Sequence, residues 1–246
     1  MREQQNNRQE RTIIGLDLGD RWQRFCVLGA SGQVVEEGSV ANNRVALSEL
    51  SSRYAGALIV MEAGCHSPWV SRHLEQGGCE VIVSNLRKTR AIYQHERKSD
   101  RRDALMLARI ARMEPALLYR VRHGSEEAQQ DLLRIKLRDS VVRARVGLIN
   151  SLRFTLKSLG YTIANPSTER FHKVVQSALP ESVVQMIAPS VQAIEELSLR
   201  IKLLDREIRT LAHTKYPETS WLEQIPGVGP ITCALFRFED WRSGAL

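Results

Sequence analysis

The chain has no apolar run near the ~18 residues that a membrane-spanning helix needs, so no membrane protein is expected. Its first eleven residues are polar and charged, without the hydrophobic core of a secretory signal. Only four cysteines occur (Cys26, Cys65, Cys79, Cys233), far apart and with no C-x-x-C pair. That spacing argues against a disulfide framework or a zinc site and points to a reducing cytoplasm. The six histidines show no ligand spacing. Walker A, G-x-G-x-x-G, H-E-x-x-H and G-x-S-x-G motifs are all missing, which excludes the chemistries those signatures serve. Aromatic residues make up only 6% of the chain, so each tryptophan can be weighed singly. Trp69, Trp221 and Trp241 are read as core or domain-contact residues, and Trp22, beside Arg21 in a turn, as a candidate to stack on a base.

What is plentiful is positive charge, and it is not spread evenly. The 246 residues carry 35 Lys+Arg against 28 Asp+Glu, a net of +7. Between Leu86 and Lys157 there are 18 basic against 8 acidic residues, a net of +10, and the rest of the chain nets −3. A solvated helical face explains many charge runs. Concentration in one segment, with Arg outnumbering Lys, favours phosphate oxygens as the partner and therefore nucleic acid. Arg87, Lys88, Arg90, Arg97, Lys98, Arg101 and Arg102 are the candidate contacts.

Hydrophobic patterning predicts strands at Thr12–Leu18, Phe25–Ala30 and Val34–Val40, a meander joined by a turn at Ser31–Gly32–Gln33. A helix is expected from about Asn43 to Tyr54, a buried strand at Ala57–Met61, a helix opened by Ser67-Pro68, and a strand at Cys79–Ser84. The order βββ-α-β-α-β is a mixed α/β sheet with an antiparallel side. Beyond Leu86 only helices are expected. One begins near Ser99 and ends near Met113 before Pro115. A second, Glu126–Leu159, places Ile135, Val142, Ile149 and Leu156 about seven residues apart. A third carries the stripe Ile194, Leu197, Ile201, Leu204, Ile208, Leu211. The Pro/Ser-containing stretch from Tyr161 to Pro189 separates the last two, which suggests an antiparallel hairpin or a dimeric coiled coil.

Four carboxylates fall at chemically useful places. Asp17 ends the first strand, Glu62 follows the fourth, and Asp100 and Asp103 share a face at the start of a helix. In an RNase H type sheet the first and fourth strands are neighbours, so the four could converge. Convergent carboxylates repel one another, and hard divalent cations, Mg²⁺ or Mn²⁺, relieve that repulsion. Two such ions can clamp both oxygens of an in-line phosphodiester displacement. Equally, 28 acids in a chain put some at convenient positions by chance, and Asp100/Asp103 would also suit a helix N-terminus.

The segments GLDLGDRWQRFCVLGASGQVVEEG, VMEAGCHSPWVSRHL and SNLRKTRAIYQHERKSDRRDALMLARI together resemble the amino-terminal domain of the DEDD transposases of bacterial insertion sequences. The Lys98–Ala104 element, K-S-D-x-x-D-A, is the most specific piece. The resemblance implies a RuvC-like domain over 12–115 after a disordered tail at 1–11, and a helical hairpin or coiled-coil linker over 116–214. A truncated helix-hairpin-helix domain over 215–246 follows, with Gly227 and Gly229 of IPGVGP approaching a DNA phosphate. It makes Asp17, Glu62, Asp100 and Asp103 the catalytic, Mg²⁺- or Mn²⁺-binding tetrad; Asp20 is a nearby acid that does not match it. It further implies DNA as substrate, a structured noncoding guide RNA, a homo-oligomer, and a cytoplasmic, nucleoid-associated setting. The family's strand-exchange serine lies further along than this chain runs. Ser243-Gly244 comes too soon after the hairpin motif, so no nucleophile is assigned in this chain. Three other functions remain open at this stage: a RuvC-like two-metal nuclease for branched DNA, a phosphotransferase of the actin/sugar-kinase fold suggested by IGLDLG, and a non-catalytic nucleic-acid-binding remnant.

Overall fold

The computed structural model describes residues 11–85, 100–163, 167–168 and 170–238, with the side chains of residues 100, 101, 237 and 238 outside that set. The chain's internal contacts divide it at His123/Gly124 into two compact units.

The first unit is built on five strands: β1 (Ile13–Asp17), β2 (Trp22–Leu28), β3 (Val34–Ala41), β4 (Leu58–Glu62) and β5 (Glu80–Ser84). Their order across the sheet is β3-β2-β1-β4-β5. β1 pairs antiparallel with β2 and parallel with β4, and β4 pairs parallel with β5. Helices α1 (Arg44–Arg53) and α2 (Ser67–Gln76) bridge the strands that run parallel. Asn43 caps α1 by accepting the Ala46 N–H at 2.9 Å, and Pro68 sits in the first turn of α2, where no helical N–H is lost. Five strands form in the expected order, with β2 starting three residues earlier than patterning puts it, at Trp22 rather than Phe25, and the mixed sheet matches the RNase H/RuvC-like expectation.

Alternation along the strands divides the core in two. Ile14, Leu16, Phe25, Val27, Ile59 and Met61 pack with Leu47, Leu50, Val70 and Leu74 of α1 and α2. Ile13, Cys26, Leu28, Leu58, Val60 and Ile82 face the other way, under Ala104, Leu107, Ala108 and Ala111 of α3 (Asp100–Met113). A 3₁₀ turn at Pro115–Leu118 then returns the chain to the sheet. There the N–H of Asn85 donates to the Tyr119 carbonyl at 3.1 Å and the N–H of Val121 to the Val83 carbonyl at 2.8 Å. Residues 119–121 therefore finish the edge of β5, a contact that hydrophobic patterning does not announce.

In the second unit α4 (Glu126–Ser158), capped by Ser125, packs on α6 (Glu181–Lys215). Three polar rungs fix their sense: Asp131 with Lys215, Arg138 with Asp205, and Arg145 with Ser198. Positions climb on one helix as they fall on the other, so the pair is an antiparallel hairpin. Ile135, Ile149, Leu152, Leu156, Ile194, Ile201 and Ile208 are buried as the two stripes require. Two expectations need correction. The stretch from 161 to 189 is not a plain connector, because α5 (Phe171–Ala178) lies within it and α6 starts at Glu181 and runs through Pro189. Burial of Val183, Val191, Phe171 and Val175 in one cluster outweighs the helix cost of the proline. Trp221, read as a core or domain-contact residue, is not in the core: on α7 (Thr219–Leu222) it is Thr219 that turns inward and Trp221 that is exposed. The last described element is α8 (Pro230–Phe238), preceded by Gly227 at φ 87°. No helix among the described residues is long and apolar enough to cross a membrane.

Candidate active site at the carboxyl ends of the parallel strands

Strand register carries Asp17 and Glu62 to the same place. Leu16 of β1 stands opposite Met61 of β4, so the next residues along these parallel strands, Asp17 and Glu62, are neighbours. Both alternate with residues under α3 (Ile13 before Asp17, Leu58 and Val60 before Glu62) and so lie on that face of the sheet. The row extends on either side. Arg24 is the cross-strand partner of Asp17, and Ser84 is the partner of Glu62. Arg24, Asp17, Glu62 and Ser84 thus form a line across four strands, about 4.8 Å apart from strand to strand. Two half-buried carboxylates stand side by side at its centre.

α3 arrives over this row with its amino end leading. Ala111 and Met113, near its carboxyl end, line a cleft with Ile13 and Leu58 at the far ends of the strands. Ala104 instead lies on Gly15, and a Cβ at Gly15 would sit 1.8 Å from the Ala104 carbonyl oxygen. The helix therefore runs antiparallel to β1, and its first turn points toward the strand ends that carry Asp17 and Glu62. At its other end, Arg112 donates to the carbonyls of Gly29 (3.2 Å) and Ala30 in the β2–β3 turn, pinning the axis. Asp103, immediately before Ala104, is half-buried. The side chain of Asp100 lies outside the described residues. Among those that are described, no three of Asp, Glu, His and Cys are already gathered as a metal cage.

The loops after the strands are held tightly. Asn42 Nδ2 donates to the carbonyls of Gly19 (3.0 Å) and Asp20 (3.2 Å), its N–H donates to the Arg21 carbonyl, and its Oδ1 accepts from buried Gln23. After β4, His66 Nε2 meets Asp20 Oδ1 at 3.0 Å while Trp69 Nε1 donates to His66 Nδ1 at 3.4 Å. This arrangement puts the imidazole proton on Nε2, facing the carboxylate. Ser67 Oγ is hydrogen-bonded to His123 Nε2 at 2.9 Å. Burial, aided by the Arg72 guanidinium, keeps His123 below its ordinary value.

Of the basic candidates, Arg87, Lys88, Arg90, Arg97 and Lys98 lie outside the described residues, as does the side chain of Arg101; Arg102 is exposed on α3. In the second unit Gly227 and Gly229 are exposed before α8, with nothing within 4 Å of where a Cβ would stand. Sequence reasoning missed Arg24 and Ser84. With the second strand taken to begin at Phe25, Arg24 fell in a turn. Pairing the strands through a tight turn after Asp17 would have put it opposite that residue.

A family model described as a transposase, for the DEDD type of IS110 insertion sequences, matches residues 14–160. Over 230 residues the chain is 25% identical to the transposase for insertion sequence element IS1111A of Coxiella burnetii (strain RSA 493 / Nine Mile phase I), an alignment covering 89% of this chain and 60% of that protein. The chain thus spans 60% of the length of the curated relative it matches.

Proposed function

As the chain belongs to the DEDD transposase family of IS110-type insertion sequences, we propose that its first unit supplies the metal-dependent carboxylate site for DNA cleavage during transposition. The observation that carries this reading is the adjacency of Asp17 and Glu62 on parallel strands under the amino end of α3. Side-by-side carboxylates raise each other's pKa and cost stability unless a cation answers them. An all-oxygen donor set suits Mg²⁺ or Mn²⁺. Asp17, Glu62, Asp100 and Asp103 would hold the metal; when bound, it would neutralise them and polarise a phosphodiester oxygen. The chain's own residues orient the backbone phosphate over the row, with the α3 amino end adding its partial positive charge.

The basic segment between residues 86 and 157 supports contacts with DNA and with a structured RNA, where base pairing would supply sequence specificity and the protein backbone contacts. Exposed Gly227 and Gly229 before α8 suit a helix-hairpin-helix phosphate contact. We assign no strand-exchange nucleophile within the described residues. The antiparallel hairpin of α4 and α6 is the natural place for a second copy to associate.

Calorimetric titration of Mg²⁺ and Mn²⁺ in the presence of branched DNA tests the site. Metal binding should be lost in Asp17→Ala and in Asp100→Ala/Asp103→Ala. Undiminished binding in either variant, or none in the wild type, would overturn the carboxylate reading.

A further inference from the structure

We propose that Trp22 and Arg24 form a docking site for one unpaired nucleotide immediately beside the carboxylate row, so that the substrate is a strand frayed next to its point of cleavage. The inference rests on the carboxylate reading for its purpose but on separate observations for its content. On β2, Cys26 and Leu28 are buried under α3. Arg24 and Trp22 continue the same alternation toward the catalytic edge, yet both are exposed, Trp22 by 62%. Neither side chain has an ion pair or ring contact with another described residue. An open indole serves no core.

Their placement fits a nucleotide. The two residues are about 6.8 Å apart along the strand, which sets a cation under a phosphate and an aromatic face under the adjoining base. Arg24 stands next to Asp17 in the row, so the bound phosphate lies where the carboxylates act. Trp22 lies one step outward, beyond the end of β1, where the base must leave its duplex partner to reach the indole. The platform is rigid in advance. Asn42 ties the turn through the carbonyls of Gly19, Asp20 and Arg21, and Gln23, fully buried between Trp22 and Arg24, holds Asn42 in place. A Cβ at Gly19 would lie 2.3 Å from the Trp22 carbonyl oxygen, so the turn closes tightly against the start of β2. A stacking face on fixed backbone loses little freedom on binding, and stacking accepts any base, which suits an enzyme that takes its sequence information elsewhere.

The experiment uses the full chain in EDTA, so that no metal step contributes, and a short forked DNA with 2-aminopurine as the first unpaired base. Wild type should quench the probe, and should bind the fork more tightly than the fully paired duplex. Trp22→Ala should abolish the quench and weaken fork binding roughly tenfold, with Trp22→Phe recovering most of it. Arg24→Gln should weaken the fork while leaving residual quench, which guards against a Trp22 variant that fails to fold. Quenching and fork preference unchanged in both Trp22→Ala and Arg24→Gln would overturn the proposal. Because the metal titration and this readout are independent, wild-type protein that binds no metal but still quenches and prefers the fork would overturn the carboxylate reading alone.

Discussion

Gly15 and Ala104 touch backbone to backbone: a Cβ on the glycine would stand 1.8 Å from the alanine carbonyl oxygen and 2.9 Å from the N–H nitrogen of Ala108. No side-chain adjustment relieves that clash, since every atom met belongs to the main chain of α3. The contact seats α3 on β1 at Ala104, the residue that follows Asp103. Gly15→Ala should therefore lift α3 off the sheet and destabilise the first unit by about 3 kcal/mol or more. Thermal unfolding would show it, and a melting temperature equal to wild type would mean that the helix is not seated as described.

How much of this was legible beforehand differs by element. The strands could be read because TIIGLDL, ALIVM and CEVIVS are apolar and bounded by turns, and Asp17 and Glu62 could be read because each ends such a run. The Gly15–Ala104 approach could not, since a glycine in a strand does not reveal what crosses it. Arg24 escaped because register, not composition, puts it opposite Asp17. The start of α6 escaped because Pro189 reads locally as a breaker, while the packing of Val183 and Val191 that overrides it is made by residues distant in sequence.

Asp131 is 3% exposed and accepts from Arg134 at 2.8 Å, Lys215 at 2.5 Å and the Tyr216 hydroxyl at 2.8 Å. Asp131→Ala would remove the acceptor these three groups share where the start of α4 meets the end of α6, leaving Lys215 with Glu127 alone, and should destabilise the second unit. Asp131→Asn, which still accepts from Tyr216, should cost less. Denaturant unfolding followed by helical circular dichroism would order the two; equal losses would rule out the hydroxyl bond as a contributor.

Arg145 presents the opposite case. It is 92% buried inside the hairpin, its Nε has no hydrogen-bond partner, and its sole described polar contact is Ser198 Oγ at 3.3 Å. Arg145→Met should leave the second unit as stable as before or stabilise it by about 1 kcal/mol. Clear destabilisation on denaturant unfolding would show that the charge is compensated.

His123 supplies a pH dependence. Its folded pKa is depressed, chiefly by burial, so the unfolded chain binds the proton more readily. The stability it lends is in place above the ordinary histidine value of 6.5 and is lost as pH falls below that value through the folded pKa. Wild type should lose more melting temperature between pH 7.5 and 5 than His123→Gln does. Parallel losses in the two proteins would remove His123 as the source.

Nucleic-acid affinity should fall steeply with salt. If six of the basic residues between 86 and 157 meet phosphates, the slope of log K against log salt is roughly −5 on duplex DNA. A slope near zero in a salt series would assign that charge to solvation instead.

The hydrogen bonds that finish β5 among the described residues come from Tyr119 and Val121, which follow α3 in the chain. The edge strand and the helix that crosses the sheet are thereby joined twice, once along the chain and once through the backbone bonds of residues 119–121, so that releasing either one must also open the other.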